Sequence, residues 1–385
     1  MKVPVYYSIK SLFQRKISTA MTIASFALVV IVLLALLAMV QGVNATLISS
    51  GAKDRLFAIN RNTTTENQSL ISARDIPVLS MYPEIKIGKN GLPIISKEMV
   101  RTSYAEYGKE KKIQVNFRGV DLPKALRVHY NVQLVKGRFF DPSSTEEVIV
   151  GQNIYNAMGL HVGDRFIANG YRWRIVGVFT DNGSPFESEI WTSVNNMILG
   201  FDIHDYSSVW MVATNPKQMS RLIDKINNNP NIFVSAISEK SYFAQGAVAA
   251  EGFQALTWFI AIVLSIGAIF SAINTMYASL ADREGEIGVL RAIGYQYRAV
   301  QWATLLETVI MALLGWVVAS VLVFFLQGIT FRTPLTGLGY VSFKVTVTPL
   351  LLVTGFVFSL VMGIVGGWLP SRHAAKIPIV EALNG

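Results

Sequence analysis

Not one cysteine occurs among the 385 residues, which excludes disulfides, thiol catalysis and zinc–thiolate centres together. Histidine is scarce too: His129, His161, His204 and His373 stand far apart, and none falls into H-E-x-x-H or a similar ligand spacing. A phosphate-cradling G-x-x-x-x-G-K-[ST] loop is missing, since Gly88-Lys89 and Gly108-Lys109 lead into Asn90 and Glu110. The acidic pairs Glu146-Glu147 and Glu187/Glu189 have no nucleophile motif such as G-x-S-x-G beside them and read as solvated strand edges. No metal site, cofactor site or catalytic constellation is expected in this chain.

Charge is also lacking over long intervals. With 51% hydrophobic and only 15% charged residues, the chain is too apolar for an ordinary soluble protein. No Asp, Glu, Lys or Arg occurs in 17–52, 252–281, 308–331 or 345–371. Each interval exceeds the roughly 20 helical residues that cross about 30 Å of hydrocarbon. Four spans are therefore expected, at 17–41, 255–279, 302–327 and 347–369. The apolar stretch of the first is longer than a signal-peptide core, so it is expected to stay as an anchor. Glu307 is the one clear charge inside these spans, where an ionisable group is costly. Its place near one end favours an interfacial or interhelical hydrogen-bonding role over proton coupling.

Orientation follows from the short segments. Nine basic residues (Lys2, Lys10, Arg15, Lys16, Arg283, Arg291, Arg298, Arg372 and Lys376) flank the spans on one side, against Arg332 and Lys344 on the other. The positive-inside rule puts the nine, and both termini, in the cytoplasm. The net charge of +9 does not indicate nucleic acid, because 23 of the 34 basic residues lie in 42–254, interspersed with nearly as many acidic ones.

Segment 42–254 is then an extracytoplasmic domain of mixed α and β structure. Strands are expected at 113–120, 147–150, 165–168, 171–179, 190–194 and 209–214, with Asn169-Gly170 as a type I′ hairpin turn. The stripe Met219, Leu222, Ile223 and Ile226 predicts a helix over 217–228. Segments 42–59 and 238–253 are both helix-compatible and could prolong spans one and two as a stalk. Gly267 and Ala268 in span two, and Gly355, Gly363, Gly366 and Gly367 in span four, permit close helix approach within a chain or between two copies.

The segment after span two carries Arg283, Glu286, Ile287, Gly288, Arg291, Ala292, Ile293 and Gly294 in the register R-x-x-E-I-G-x-x-R-A-I-G. It resembles the hallmark of MacB/FtsX/LolC-type ABC transporter permeases. The tail from Pro370 through Arg372, Lys376, Pro378 and Glu381 to Leu383 is similar to the family's P-A-R-x-A-A-x-x-x-P-x-E-A-L, with a slight change of spacing. Val135-Lys136-Gly137-Arg138-Phe139-Phe140 and Ile175-Val176-Gly177-Val178 resemble its β-rich subdomain, placed at about 113–205.

The resemblance implies an α-helical membrane protein with four transmembrane helices and an α+β periplasmic domain inserted between helices 1 and 2. Its parts are a cytoplasmic amphipathic start (1–16), the domain (42–254), a coupling-helix loop (280–301), a short periplasmic loop (328–346) and a cytoplasmic tail (370–385) carrying Arg372, Lys376 and Glu381. It implies a coupling helix that grips an ABC ATPase, with Arg283, Glu286 and Arg291 as polar contacts, Ile287, Leu290 and Arg291 on one side, and Gly288 and Gly294 allowing close approach. ATP and Mg would be held by a separate ATPase dimer, and the permease would pair with a second copy or a homologue. A periplasmic adaptor and outer-membrane channel are expected if the system resembles MacB. The family also implies movement of the outer domain driven from the cytoplasm, acting on a drug, peptide, lipid or lipoprotein in the bacterial inner membrane. An FtsX-like regulator of a periplasmic partner is the alternative.

Overall fold

The computed structural model describes residues 16–49, 51–108, 111–281, 283–335 and 339–376. In chain order, α1 (Lys16–Ser49) leads to β1 (Arg55–Asn60), α2 (Asp75–Ser80), β2 (Ile95–Tyr107), β3 (Lys111–Val120), α3 (Leu122–Val128), β4 (Gln133–Gly137) and β5 (Glu147–Gly151). Then come α4 (Gln152–Met158), β6 (Arg165–Ala168), β7 (Tyr171–Thr180), β8 (Glu189–Ser193), α5 (Val194–Phe201), β9 (Ser208–Val212), α6 (Met219–Asn227) and β10 (Val234–Ser238). The remainder is α7 (Glu239–Ala281), α8 (Glu284–Ala292), α9 (Tyr297–Phe324), β11 (Thr330–Leu335), β12 (Gly339–Lys344) and α10 (Pro349–Lys376). The described parts of 1–42, 251–329 and 344–385 form one compact unit, and 43–250 with 330–343 another.

The first unit is a helix bundle. Four of its helices, over Lys16–Leu47, Gly252–Ala281, Tyr297–Phe324 and Pro349–Lys376, are long and apolar enough to cross a membrane. Phe26, Val30, Leu33 and Leu34 on α1 pack with Ala272 on α7, Met311 and Ala312 on α9, and Met362 on α10. Large apolar side chains such as Phe259, Phe270, Leu322 and Val357 remain exposed, as a lipid-facing surface requires. The small residues of span four are used within the chain: a Cβ on Gly363 would lie 2.9 Å from the Ala312 Cβ and 3.0 Å from the Val309 Cα. Ser359 Oγ donates to the Ala312 carbonyl at 2.6 Å, and Trp316 Nε1 to Leu352 O at 3.0 Å, so α9 and α10 are also joined by hydrogen bonds.

The second unit is built on a ten-stranded mixed sheet ordered β10-β1-β9-β2-β3-β8-β5-β7-β4, with β6 bridging β2 and β7. Two cores cover it. Leu56, Met211, Leu222 and Ile226 lie with α6, whereas Phe117, Ile154, Trp173, Ile175 and Met197 lie with α4 and α5. The β6–β7 turn forms as the sequence signals, with Asn169 at φ 52 and Gly170 at φ 74. Strand content extends on both sides of 113–205, since β1, β2, β9 and β10 belong to the same sheet. Helix does not continue to Ile59: α1 ends at Ser49, and Arg55–Asn60 pairs with β10 and β9. Burial of five of its six residues between two neighbours outweighs a weak helical preference. Strands β11 and β12 pair with each other, and Ser342 N donates to Ser188 Oγ at 3.1 Å.

Candidate functional site

The hallmark segment folds as α8, a nine-residue helix. Its end explains the last motif glycine. Gly294 takes φ +106, its N–H bonds to Arg291 O at 3.1 Å, and Tyr295 N bonds to Leu290 O at 3.2 Å. This is a Schellman termination, which only a residue at ease in left-handed backbone supplies cheaply. Gly294 therefore ends the helix. Nothing lies within 4 Å of the Cβ it lacks, so it makes no close approach among the described residues.

The anchored side of α8 differs from the side read off the motif. Ile287 and Gly288 are buried, and Ile287 packs with Leu280, Val300 and Ala374 at the ends of α7, α9 and α10. Leu290 and Arg291 are half-buried. The outward edge carries Glu286, Val289 (46% exposed) and Ile293 (67%) instead, at i, i+3 and i+7. Ile287 and Gly288 are thus scaffold residues. Val289 and Ile293 are the large apolar residues of this segment that stay exposed, and both stand inside the motif.

Arg283, just before α8, turns inward. Its Nη1 lies 3.3 and 3.4 Å from the two carboxylate oxygens of Glu307, and its Nε lies 3.3 Å from Glu286 Oε2. Both Arg283 and Glu307 are nearly buried, at 11% and 7% side-chain exposure. The pair explains how α9 carries a carboxylate among apolar helices, Glu307 being bonded to the residue that precedes α8. On α10, the Arg372 guanidinium lies 5.8 Å from the Trp368 ring centroid, and Lys376 is exposed at the helix end. Glu381, with the rest of 377–385, and residues 1–15 fall outside the described residues.

The second unit holds a polar centre that sequence reasoning missed. Arg118 on β3 is fully buried and meets three carboxylates: Glu66 at 2.9–3.0 Å through two nitrogens, Glu98 at 2.7 Å, and Glu189 at 2.7–2.9 Å. Every acid has further partners. Ser208 Oγ and Trp210 Nε1 donate to Glu66, Trp191 Nε1 donates to Glu189, and His129 Nε2 lies 2.9 Å from Glu98. Such satisfaction lets ions persist in a core. A second buried pair joins the two ends of the domain: Arg55 Nε, at the start of β1, donates to Glu239 Oε2 at 2.6 Å, and Ala52 N donates to the same oxygen at 2.8 Å.

Glu147, Glu187 and Glu189 are accordingly not solvated strand edges. Glu147 is held by Arg138, and Glu187 accepts from Thr180 Oγ1 and the Asp181 and Gly183 amides. All three are buried, while Glu146 alone is half-exposed. The donors of Glu147 and Glu187 stand four to nine residues away and are turned toward them by the loops between, whereas Glu189 meets Arg118 from 71 residues away.

Burial alone would raise the Glu98 carboxyl, but its interactions with His129 and Arg118 outweigh that and hold it down at about 2. Burial prevails at Glu189, Glu239 and Asp181, whose carboxyls are raised. The signs are opposite. Glu98 stabilises the fold fully above its unfolded value of 4.5 and loses that contribution as pH falls toward 2, whereas protonation of the other three favours the fold in acid. Glu98→Gln is expected to remove about 3 kcal/mol of the acid sensitivity between pH 5 and 2. Tryptophan-monitored denaturation at several pH values checks this, and an unchanged pH slope would refute it.

Residues 19–229 match the MacB-like periplasmic core domain family, and residues 258–379 match the FtsX-like permease C-terminal family. The chain belongs to the MacB/FtsX type of ABC transporter permease. It is 20% identical over 99% of its length to an uncharacterized ABC transporter permease of Methanocaldococcus jannaschii, covering 97% of that protein. It is 25% identical, over 65% of its length, to the macrolide export ATP-binding/permease protein MacB of Psychrobacter cryohalolentis. Against MacB of Escherichia coli K12 the identity is 34% over 33% of the chain. The chain spans only 40% and 19% of these two MacB proteins. Among solved structures, the periplasmic region of MacB from Actinobacillus actinomycetemcomitans aligns with 51% of the chain and 94% of its own length, at TM-score 0.38 and 12% identity.

Proposed function

We propose that this permease is the transmembrane subunit of an ABC transporter whose ATPase is a separate chain, and that it converts ATP hydrolysis into movement of its inserted domain. The reading rests on α8: a short helix fixed on its inner side by Ile287, ended by Gly294, and presenting Glu286, Val289 and Ile293 outward. A helix held rigidly at the end of a bundle with an apolar edge toward solvent is suited to sit in a groove of a partner. Half-buried Arg291 adds charge beside that edge, and Arg283 ties the start of α8 to Glu307. Positive-inside asymmetry supports an inner-membrane protein with both termini and α8 in the cytoplasm and the inserted domain in the periplasm. Two copies, or one copy and a homologue, would engage an ATPase dimer holding ATP and Mg.

The bundle interior is packed with apolar side chains, and Glu307 is answered by Arg283. This favours transmission of force over passage of cargo between the spans. Cargo would be an amphiphile (drug, peptide, lipid or lipoprotein) handled on the periplasmic side, with an adaptor and outer-membrane channel in a MacB-like assembly.

Val289→Asp and Ile293→Asp test the reading. Both side chains are exposed, so the bundle should be unaffected. Loss of one aliphatic contact of about 1.5–3 kcal/mol predicts at least tenfold weaker co-purification with the ATPase and a matching loss of transport. Unchanged association and transport would reject α8 as the contact. Retained ATPase binding together with periplasmic hydrolase control but no export would favour the FtsX-like regulator.

A further inference from the structure

The inserted domain contains a cavity of about 410 Å³, framed by α2, the turn over 87–93, the start of β2, and α3. That volume lies in the range of small-molecule sites. Its wall is mainly apolar: Ile76 and Pro77 on one side, Leu92, Ile94 and Ile95 on the other. Leu92 is 59% exposed, although it sits on a turn held firmly by Gly88 N to Leu92 O at 2.8 Å and Ile94 N to Lys86 O at 2.8 Å. An apolar side chain is thus fixed toward solvent.

Lys97, Lys124 and Arg127 also line the cavity. Arg127 is exposed and has no ionic or hydrogen-bonding partner among the described residues. Lys124 has only Asp121 at 2.6 Å, with both side chains more than 40% exposed, a pair of little net worth. The Lys97 ammonium lies 4.9 Å from the Tyr206 ring centroid. Three cations against one carboxylate beside an apolar wall are complementary to one kind of ligand. A cationic amphiphile would meet repulsion, and a purely polar anion would leave the wall wet.

We infer that this cavity binds a single-chain amphiphile with an anionic head, its body along Ile76, Leu92 and Ile94 and its head between Lys97, Lys124 and Arg127. Its use as the point where cargo meets the domain rests on the export reading, but binding itself does not.

The full chain, held in amphipol, is irradiated with a diazirine-bearing dodecanoate, and the labelled peptides are mapped by mass spectrometry. Labelling is expected within 76–97 and 122–128. The surface variant Lys97→Gln/Lys124→Gln/Arg127→Gln should lower it at least tenfold, and Leu92→Ser several-fold. The matching diazirine dodecylamine should label these peptides at least tenfold less than the carboxylate. Absence of label there, or equal labelling by the amine or in the triple variant, overturns the site. Labelling that depends on the three cations, without dodecanoate stimulating ATP hydrolysis in the complex with the ATPase, upholds the site and removes such molecules from the export reading.

Discussion

Arg118→Met should destabilise the inserted domain by about 5 kcal/mol at neutral pH, the upper end of what breaking a buried ionic network costs. Methionine roughly fills the volume, so the loss would not come from a cavity. It would come from Glu66, Glu98 and Glu189, left buried with fewer donors and facing one another. Their remaining partners, Ser208, Trp210, Trp191 and His129, satisfy some lone pairs but bring no second guanidinium. The pH response would also reverse. Without Arg118 burial pushes the Glu98 and Glu189 carboxyls up, so their contribution is best in acid and declines as pH rises through the raised values. Denaturation followed by the fluorescence of Trp191 and Trp210 should therefore show the variant recovering toward pH 4. A variant equally unstable at pH 4 and pH 7 would show that Arg118 acts through packing.

That centre illustrates what a single sequence conceals. The partners of Arg118 lie 20, 52 and 71 residues away: the order of β2, β3 and β8 in the sheet brings Glu98 and Glu189 to it, and Glu66 reaches it from the turn that follows β1. A glutamate is visible in sequence, but the donor that makes it a core residue is not. Strand β2, with Lys97, Glu98 and Arg101 in its length, escapes detection for the same reason. The four helices were legible because hydrocarbon admits few charges, and the β6–β7 hairpin because Asn-Gly dictates its turn. In α8 the motif identified the helix but not its phase. Each residue turns it by about 100°, so reading Ile287 rather than Val289 as the outward residue moves the exposed face across the helix. What fixes the phase is the packing of Ile287 on Leu280, Val300 and Ala374, which stand on three other helices.

Arg283→Ala should cost about 4 kcal/mol of bundle stability, since it removes a near-buried partner of Glu307. The expected readouts are lower yield of the membrane-inserted protein and a lower melting temperature in detergent, with weaker coupling to the ATPase because Arg283 also precedes α8. Adding Glu307→Gln should restore most of the stability, as neutralising both partners removes the uncompensated charge rather than the packing. Glu307→Gln alone leaves Arg283 near the bundle end with Glu286 still at 3.3 Å, so its cost should be smaller. Transport should then survive Glu307→Gln. Loss of transport in that variant, with assembly and ATP hydrolysis intact, would instead make Glu307 a proton-coupling group, because a carboxamide keeps the shape but can neither carry the charge nor take up and release a proton.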